Sequence, residues 1–187
     1  PEVTNPATGH MVRPRYEYGY DARGQQTLLR DPLGRETRWT FDRSGRQLTR
    51  TLPIGFGSDG KQGTGDDTTL PDGNFTETMS YDDRGRTVIA SSFEGIITRN
   101  IYDDSPLGSG RLSAKEFFDS QDDLDTNRPS ERWSWTYDAF GREATTTRTH
   151  LSTSVSLNTG NSYDGQGRLI RVASPEGAVS YEYDMLG

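Results

Sequence analysis

Hydrophobic residues in this chain come in short alternating stretches and never in long runs. Glu36-Thr37-Arg38-Trp39-Thr40-Phe41 and Ala178-Val179-Ser180-Tyr181-Glu182-Tyr183 are rich in Thr, Val and aromatic residues and alternate in character. That two-residue period predicts half-buried strands. Glycine- and aspartate-rich clusters separate such stretches about every ten residues, the punctuation of successive hairpins. No helical period persists over more than about two turns, and the nearest candidate, Leu112 to Phe118, is short. No stretch approaches the ~18 apolar residues of a membrane-spanning helix. The pattern predicts an all-β chain.

The turns repeat. Tyr20-Asp21-Ala22-Arg23-Gly24-Gln25 is followed by Phe41-Asp42-Arg43-Ser44-Gly45-Arg46, Tyr81-Asp82-Asp83-Arg84-Gly85-Arg86, Tyr137-Asp138-Ala139-Phe140-Gly141-Arg142 and Tyr163-Asp164-Gly165-Gln166-Gly167-Arg168. Tyr102-Asp103 reaches Gly110-Arg111 after a four-residue expansion, and Tyr183-Asp184 opens a seventh copy. Successive starts lie 21, 40, 21, 35, 26 and 20 residues apart. The period is therefore 20–21 residues, with insertions at 53–78, 104–134 and 143–162. A weaker motif lies between copies: Asp31-Pro32-Leu33-Gly34, Ser92-Phe93-Glu94-Gly95, Ser174-Pro175-Glu176-Gly177 and Asn5-Pro6-Ala7-Thr8-Gly9.

Each residue type in the motif has a local task. The aspartate accepts backbone N–H groups of its turn, and the glycine supplies the positive φ of a type I turn with a bulge. Proline in the second motif presets φ near −65°. The aromatic ring at a strand end covers the next hairpin, and the arginine after the glycine is placed to stack on a ring or pair with its aspartate.

Composition sharpens this. The chain has 187 residues, only 29% of them hydrophobic, against roughly 45–50% (glycine included) in ordinary globular domains. One large spherical core is excluded. With 28 acidic and 21 basic side chains the net charge is −7, which argues against nucleic acid as a partner. Apart from Lys61 and Lys115 every cation is one of 19 arginines, whose planar fork suits stacked Arg/Tyr/Asp ladders. Cysteine is absent, so there are no disulfides, thiolate metal sites or cysteine nucleophiles.

Tyr-Asp-x-x-Gly-Arg at a spacing near 20 resembles the YD-repeat, or RHS (rearrangement hotspot), family, and the likeness runs over residues 5–187. The resemblance implies a spiralling antiparallel β-hairpin ribbon of about seven repeats, a segment of a longer chain with a structural role and no chemistry in the repeats. It implies an extracellular or cell-surface setting, as in bacterial toxin shells, insecticidal toxin complexes and teneurin-type scaffolds. The expected partners are neighbouring repeats of the same chain or identical chains in a filament; an enclosed toxin domain and glycans are the alternatives. Asp31-Pro32-Leu33-Gly34 is similar to the core of the segment associated with self-cleavage in toxin shells, but Arg35 stands where leucine is expected. It reads as a repeat turn.

Two acidic stretches have the spacing of calcium loops, in which short-spaced oxygens curl round a hard cation. The first offers Asp59, Asp66, Asp67 and Asp72 among glycines; the second offers Asp119, Asp123 and Asp125, which with Gln121 put oxygen side chains at alternate positions. Calcium is the one cofactor expected, against the plainer reading of solvated polar loops. Asn74-Phe75-Thr76 is a formal N-glycosylation acceptor. Ten of the eighteen residues from 145 to 162 are Ser or Thr, which reads as a polar hairpin extension or a stretch carrying O-linked glycans. Trp39, Trp133 and Trp135 suit either sugar stacking or packing between hairpins; a chain this poor in aliphatics builds its core from rings, which favours packing. The only histidines, His10 and His150, have no partner motif, and no serine elbow or phosphate loop is present, so the chain reads as non-catalytic.

Overall fold

The computed structural model describes residues 3–4, 9, 11–13, 15–32, 34–53 and 76–184. The chain is all-β and divides into two compact units, Pro1–Ile96 and Ile97–Gly187. In the first, β1 (Val3–Thr4) and β2 (Met11–Val12) form a small ribbon of their own. The strands β3 (Glu17–Tyr20), β4 (Gln26–Arg30), β5 (Glu36–Phe41), β6 (Gln47–Thr51), β7 (Thr76–Tyr81) and β8 (Thr87–Ser91) then pair antiparallel, each with the next. The second unit repeats the plan with β9 (Ile97–Tyr102), β10 (Leu112–Phe118), β11 (Glu131–Tyr137), β12 (Glu143–His150), β13 (Val155–Tyr163), β14 (Leu169–Ser174) and β15 (Gly177–Ser180). One short helix, α1 (Gln121–Asp125), joins β10 to β11.

Cross-strand pairs hold these meanders where aliphatic burial is scarce. Hydroxyls meet directly across the ladder at Thr40–Thr49 (2.7 Å), Thr78–Ser91 (2.8 Å) and Thr136–Thr145 (2.7 Å). Opposite charges face each other in rows: Glu17, Arg30 and Glu36 stand abreast on β3, β4 and β5, and Arg50 faces Glu77 across β6 and β7. The second unit adds a true core on one face of β9 and β10, where Ile97, Ala114 and Phe118 are buried. Glu116 lies in that same buried row between Arg99 and Arg132, accepting at 2.8 and 2.7 Å.

Two segments differ from the sequence expectation. Residues 104–134, expected as a loop insertion, contain all of β10, the helical turn and the start of β11. The acidic stretch 119–127 is helical at its centre because the Ser120 hydroxyl caps the Asp123 N–H (3.2 Å), with Asp122 and Asp123 in the favourable first turn. Residues 143–162 extend β12 and β13 into a long hairpin. The insertion at 53–78 falls almost wholly outside the described residues.

Candidate functional site

The repeat turns form the most regular side-chain constellation in the molecule. Asp42 shows the scheme: its N–H donates to the Arg46 carbonyl (2.9 Å) and its carbonyl accepts from Gly45 (3.1 Å). Its Oδ1 accepts the N–H groups of Ser44 (2.8 Å) and Arg46 (2.9 Å), while Oδ2 takes Arg46 Nε at 2.7 Å. Asp82, Asp138 and Asp164 make the same five bonds with Arg84, Gly85 and Arg86, with Phe140, Gly141 and Arg142, and with Gln166, Gly167 and Arg168. Asp21 keeps the backbone part of the scheme, with Gln25 where the others have arginine. The register slips by one residue beside each aromatic, between Thr40 and Phe41 or Ser80 and Tyr81 for example, and the glycine sits at φ of 75–85°. This is the bulged turn that only glycine enters without strain.

These bonds stabilise the ionised carboxylates. The Arg46 main-chain N–H holds Asp42 below the usual range against the opposing effect of burial, and the Arg46 guanidinium adds to it. The Arg86 N–H does the same for Asp82. At Asp164 the Arg168 guanidinium contributes most, and at Asp138 burial is outweighed by the N–H and guanidinium of Arg142.

The turns of Arg46, Arg111, Arg142 and Arg168 are each bolted to the next repeat. The guanidiniums of Arg46, Arg142 and Arg168 lie 4.6, 4.4 and 4.5 Å from the ring centres of Tyr81, Tyr163 and Tyr183, and Arg111 lies 5.3 Å from Tyr137. Each of those tyrosine hydroxyls donates to the carbonyl of the residue just after its arginine: Gln47 (2.7 Å), Glu143 (2.8 Å), Leu169 (2.7 Å) and Leu112 (2.6 Å). Where the arginine is Gln25, the following aromatic is Phe41, which has no hydroxyl to place. Gln25 Nε2 bridges to the Gly45 carbonyl instead (2.9 Å). The expanded turn after Tyr102 preserves the closing bond, from the Asp103 N–H to the Arg111 carbonyl (3.1 Å), and Asp103 accepts from Gly110. Its extra residues fold onto the Ser113 hydroxyl, which accepts from Asp104 and Ser105.

The weaker motif splits into two structures. Asp31 closes on Arg35 through four of the bonds of the main turns, including Arg35 Nε to Oδ2 at 2.6 Å, and Ser92 closes on Ile96 with the same backbone pair. Ser174 and Gly177 instead pair directly across a two-residue hairpin formed by Pro175 and Glu176. That turn is one residue too short for the bulge.

The other candidates disperse. Asp119 accepts from Ser130 (3.1 Å), Asp123 faces Ser120 and Arg128, and Asp125 accepts from Gln121 (2.8 Å). Among the described residues no three acidic or histidine side chains gather in metal-binding geometry. Asp59, Asp66, Asp67, Asp72 and Asn74 lie outside the described residues. Trp133 packs 5.9 Å from Phe117 and 6.4 Å from Trp135, donates to Glu131 (2.8 Å) and lies beneath Arg148, so that ring is engaged in the sheet. Trp39 is half-buried on β5. No helix among the described residues is long and apolar enough to cross a membrane.

The RHS-repeat family model matches residues 20–54 and 163–187, stretches that hold the turns at Asp21, Asp42 and Asp164 and the Arg168–Tyr183 stack. Those two stretches match RHS repeats. The turns at Asp82 and Asp138 lie outside the matched stretches and have the same bonds, so the same turn recurs between them. Among the curated proteins none matches. Of solved structures, the chain is similar to one in the TcdB2-TccC3-Cdc42 crystal structure at 13% identity and a TM-score of 0.49, over 91% of this chain and 10% of that one. It is also similar to one in the Photorhabdus luminescens Tc holotoxin pore at 14% identity and a TM-score of 0.47, over 89% of this chain and 9% of that one. The chain thus spans about a tenth of the length of these proteins.

The sequence places each arginine against a ring or its own aspartate, and the structure has both; what the sequence does not show is the tyrosine hydroxyl that bonds back to the carbonyl after that arginine. The signal was present in the pairing of Gln25 with Phe41. Nor does the sequence mark Glu116, which lies outside every repeat.

Proposed function

We propose that these RHS repeats are wall: a non-catalytic structural segment of a large extracellular shell or filament, bearing load between neighbouring repeats. The observation that carries this reading is the rung from arginine to the next tyrosine, seen at Arg46, Arg111, Arg142 and Arg168. It engages the aspartates, arginines and tyrosine hydroxyls of the motif in holding one repeat to another. Such a ribbon gains stability from each neighbour contact nearly additively, as solenoids do. The extracellular setting rests on the family resemblance.

Electron microscopy of the native full-length parent protein tests the reading, with localisation of this segment by a labelled antibody fragment. Label distributed along a thin continuous wall is expected. A closed hollow particle would make the wall an enclosure, and an extended fibre would make it a filament. Label confined to a detached globular knob, with the wall built from other sequence, overturns the proposal.

A further inference from the structure

Two steps between hairpins in the first unit have nearly the same ladder and differ in one feature. At the first, β4 lies against β5 through Leu28–Arg38, Leu29–Thr37 and Arg30–Glu36. At the second, β6 lies against β7 through Thr49–Thr78, Arg50–Glu77 and Thr51–Thr76. Each holds an arginine–glutamate pair, with Arg30 Nε donating to Glu36 at 2.9 Å and Arg50 Nη2 to Glu77 at 3.0 Å. The second step also has the full rung, Arg46 over Tyr81 with the tyrosine hydroxyl on the Gln47 carbonyl. The first step has Gln25 and Phe41 in those places. The space is the same: a Cβ on Gly45 would stand 3.3 Å from Gln25 Nε2, and one on Gly85 would stand 3.4 Å from Arg46 Nη1. The neutral amide donates once, to the Gly45 carbonyl, and its Oε1 is buried with no hydrogen-bond partner among the described residues. An acceptor left so costs free energy that the arginine rung does not. Arg23, an exposed side chain, adds a bond from Nη1 to the Arg43 carbonyl.

We propose that the Gln25–Phe41 step is a built-in opening point, at which the β3–β4 hairpin parts from β5 while β5 to β8 stay paired. In a ribbon whose hairpins touch chiefly their neighbours, the weakest step opens first. The bonds that break are the β4–β5 ladder, Arg30 to Glu36, Gln25 to Gly45 and Arg23 to Arg43. No arginine–tyrosine rung is among them. The departing hairpin keeps its turn, because Asp21 closes on Gln25 and accepts the N–H groups of Arg23 and Gln25 within β3–β4 itself. It also keeps a partner for Arg30, whose Nη1 donates to Glu17 at 2.9 Å. The edge left behind on β5 carries Glu36 and Arg38, charges of the kind that blunt exposed edges against stray pairing. This goes beyond the structural role proposed above, which rests on the rungs, by naming the step where one is missing. Its test is read on this chain whatever microscopy of the parent shows.

Native-state hydrogen exchange of the whole chain, read amide by amide by NMR, tests this. Amides donating across β4–β5 are expected to exchange about tenfold faster than those donating across β6–β7, the worth of one net hydrogen bond and a cation–π contact. Gln25→Arg combined with Phe41→Tyr rebuilds the rung and should slow exchange across β4–β5 by about the same factor, leaving β6–β7 and β11–β12 unchanged. Arg46→Gln combined with Tyr81→Phe should move the fast exchange to β6–β7. Unchanged protection of β11–β12 verifies that each variant folds. Equal exchange at the two steps in the parent would overturn the proposal. Fast β4–β5 exchange that persists in the rebuilt variant would overturn it too, since β3 would then merely fray from its edge. A slowing spread evenly over every strand would assign the effect to global stability and overturn the opening point as well.

Discussion

The Arg142 guanidinium lies 4.4 Å from the ring centre of Tyr163, and the Tyr163 hydroxyl donates a 2.8 Å hydrogen bond to the carbonyl of Glu143, the residue after that arginine. One side-chain pair thus joins two repeats twice, once through ring and cation and once through hydroxyl and backbone. Removing only the second link, with Tyr163→Phe, should cost about 0.5–1.5 kcal/mol, the net worth of an ordinary hydrogen bond. For a chain of this size that lowers Tm by roughly 2–5 °C. Arg142→Lys should cost a similar amount, because lysine loses both the planar stack and the fork on Asp138. Differential scanning calorimetry reads both; a Tm unchanged in each variant would remove the rung from the stability of the ribbon.

Acid should loosen the turns of Asp42, Asp82, Asp138 and Asp164 together. Asp42, Asp82, Asp138 and Asp164 titrate below the usual carboxylate range in the folded chain because N–H groups and an arginine stabilise their charge. A carboxyl with a lowered folded pKa contributes its full stability above the unfolded value, near 3.9, and loses it as pH falls through the folded value. Thermal unfolding between pH 7 and pH 2 should show a nearly flat Tm down to about pH 5 and a steep fall below about pH 4. Asp164→Asn, which keeps an acceptor but removes the titration, should start lower and fall less. Equal Tm at pH 3 and pH 7 in the parent would contradict the scheme.

How much of this was legible follows from the range of each interaction. The turn is local: Asp42, Gly45 and Arg46 lie within five residues, and their chemistry determines the backbone between them. The sequence therefore predicted strands, hairpins and an all-β chain without reference to distant contacts. The rung from Arg46 to Tyr81 spans 35 positions, and only the repeat itself, together with the exception of Gln25 and Phe41, hints at it. The buried row of Arg99, Glu116 and Arg132 has no repeat behind it. Its members meet because β9, β10 and β11 happen to be in register, which no local pattern encodes. The same holds for α1: Ser120 followed by Asp122 and Asp123 is a helix start, but the alternating oxygens read more readily as a cation loop.

Two glycines at nearly the same φ separate backbone strain from close approach. Gly24 (φ 80°) has open space where a Cβ would stand, whereas a Cβ on Gly141 (φ 75°) would lie 2.6 Å from Arg111 Nη2. Alanine at either position carries the left-handed penalty of roughly 1–2 kcal/mol. Gly141→Ala also forces the Arg111 guanidinium off Tyr137, adding about 0.5–1 kcal/mol for the lost cation–π contact. Urea denaturation of the two variants should rank Gly141→Ala below Gly24→Ala by that increment. If they rank equally, the Arg111 stack adds nothing.

The sharpest contrast between surface and interior charge comes from two glutamates with arginine partners. The Glu116 side chain is 5% exposed and depends on Arg99 and Arg132, while Glu77, 21% exposed, faces Arg50. Water can replace a lost partner at Glu77, so Arg50→Met should cost no more than about 1 kcal/mol, as for most partly solvated pairs. At Glu116 one lost arginine leaves a buried carboxylate with half its partners. Arg132→Met should therefore approach the ~3–5 kcal/mol of a broken buried pair, and Glu116→Gln introduced with it should recover part of the loss by removing the stranded charge. A double-mutant cycle at neutral pH measures that recovery. If Arg132→Met proves as mild as Arg50→Met, Glu116 is better hydrated than its burial implies, and the row contributes little to holding β9, β10 and β11 together.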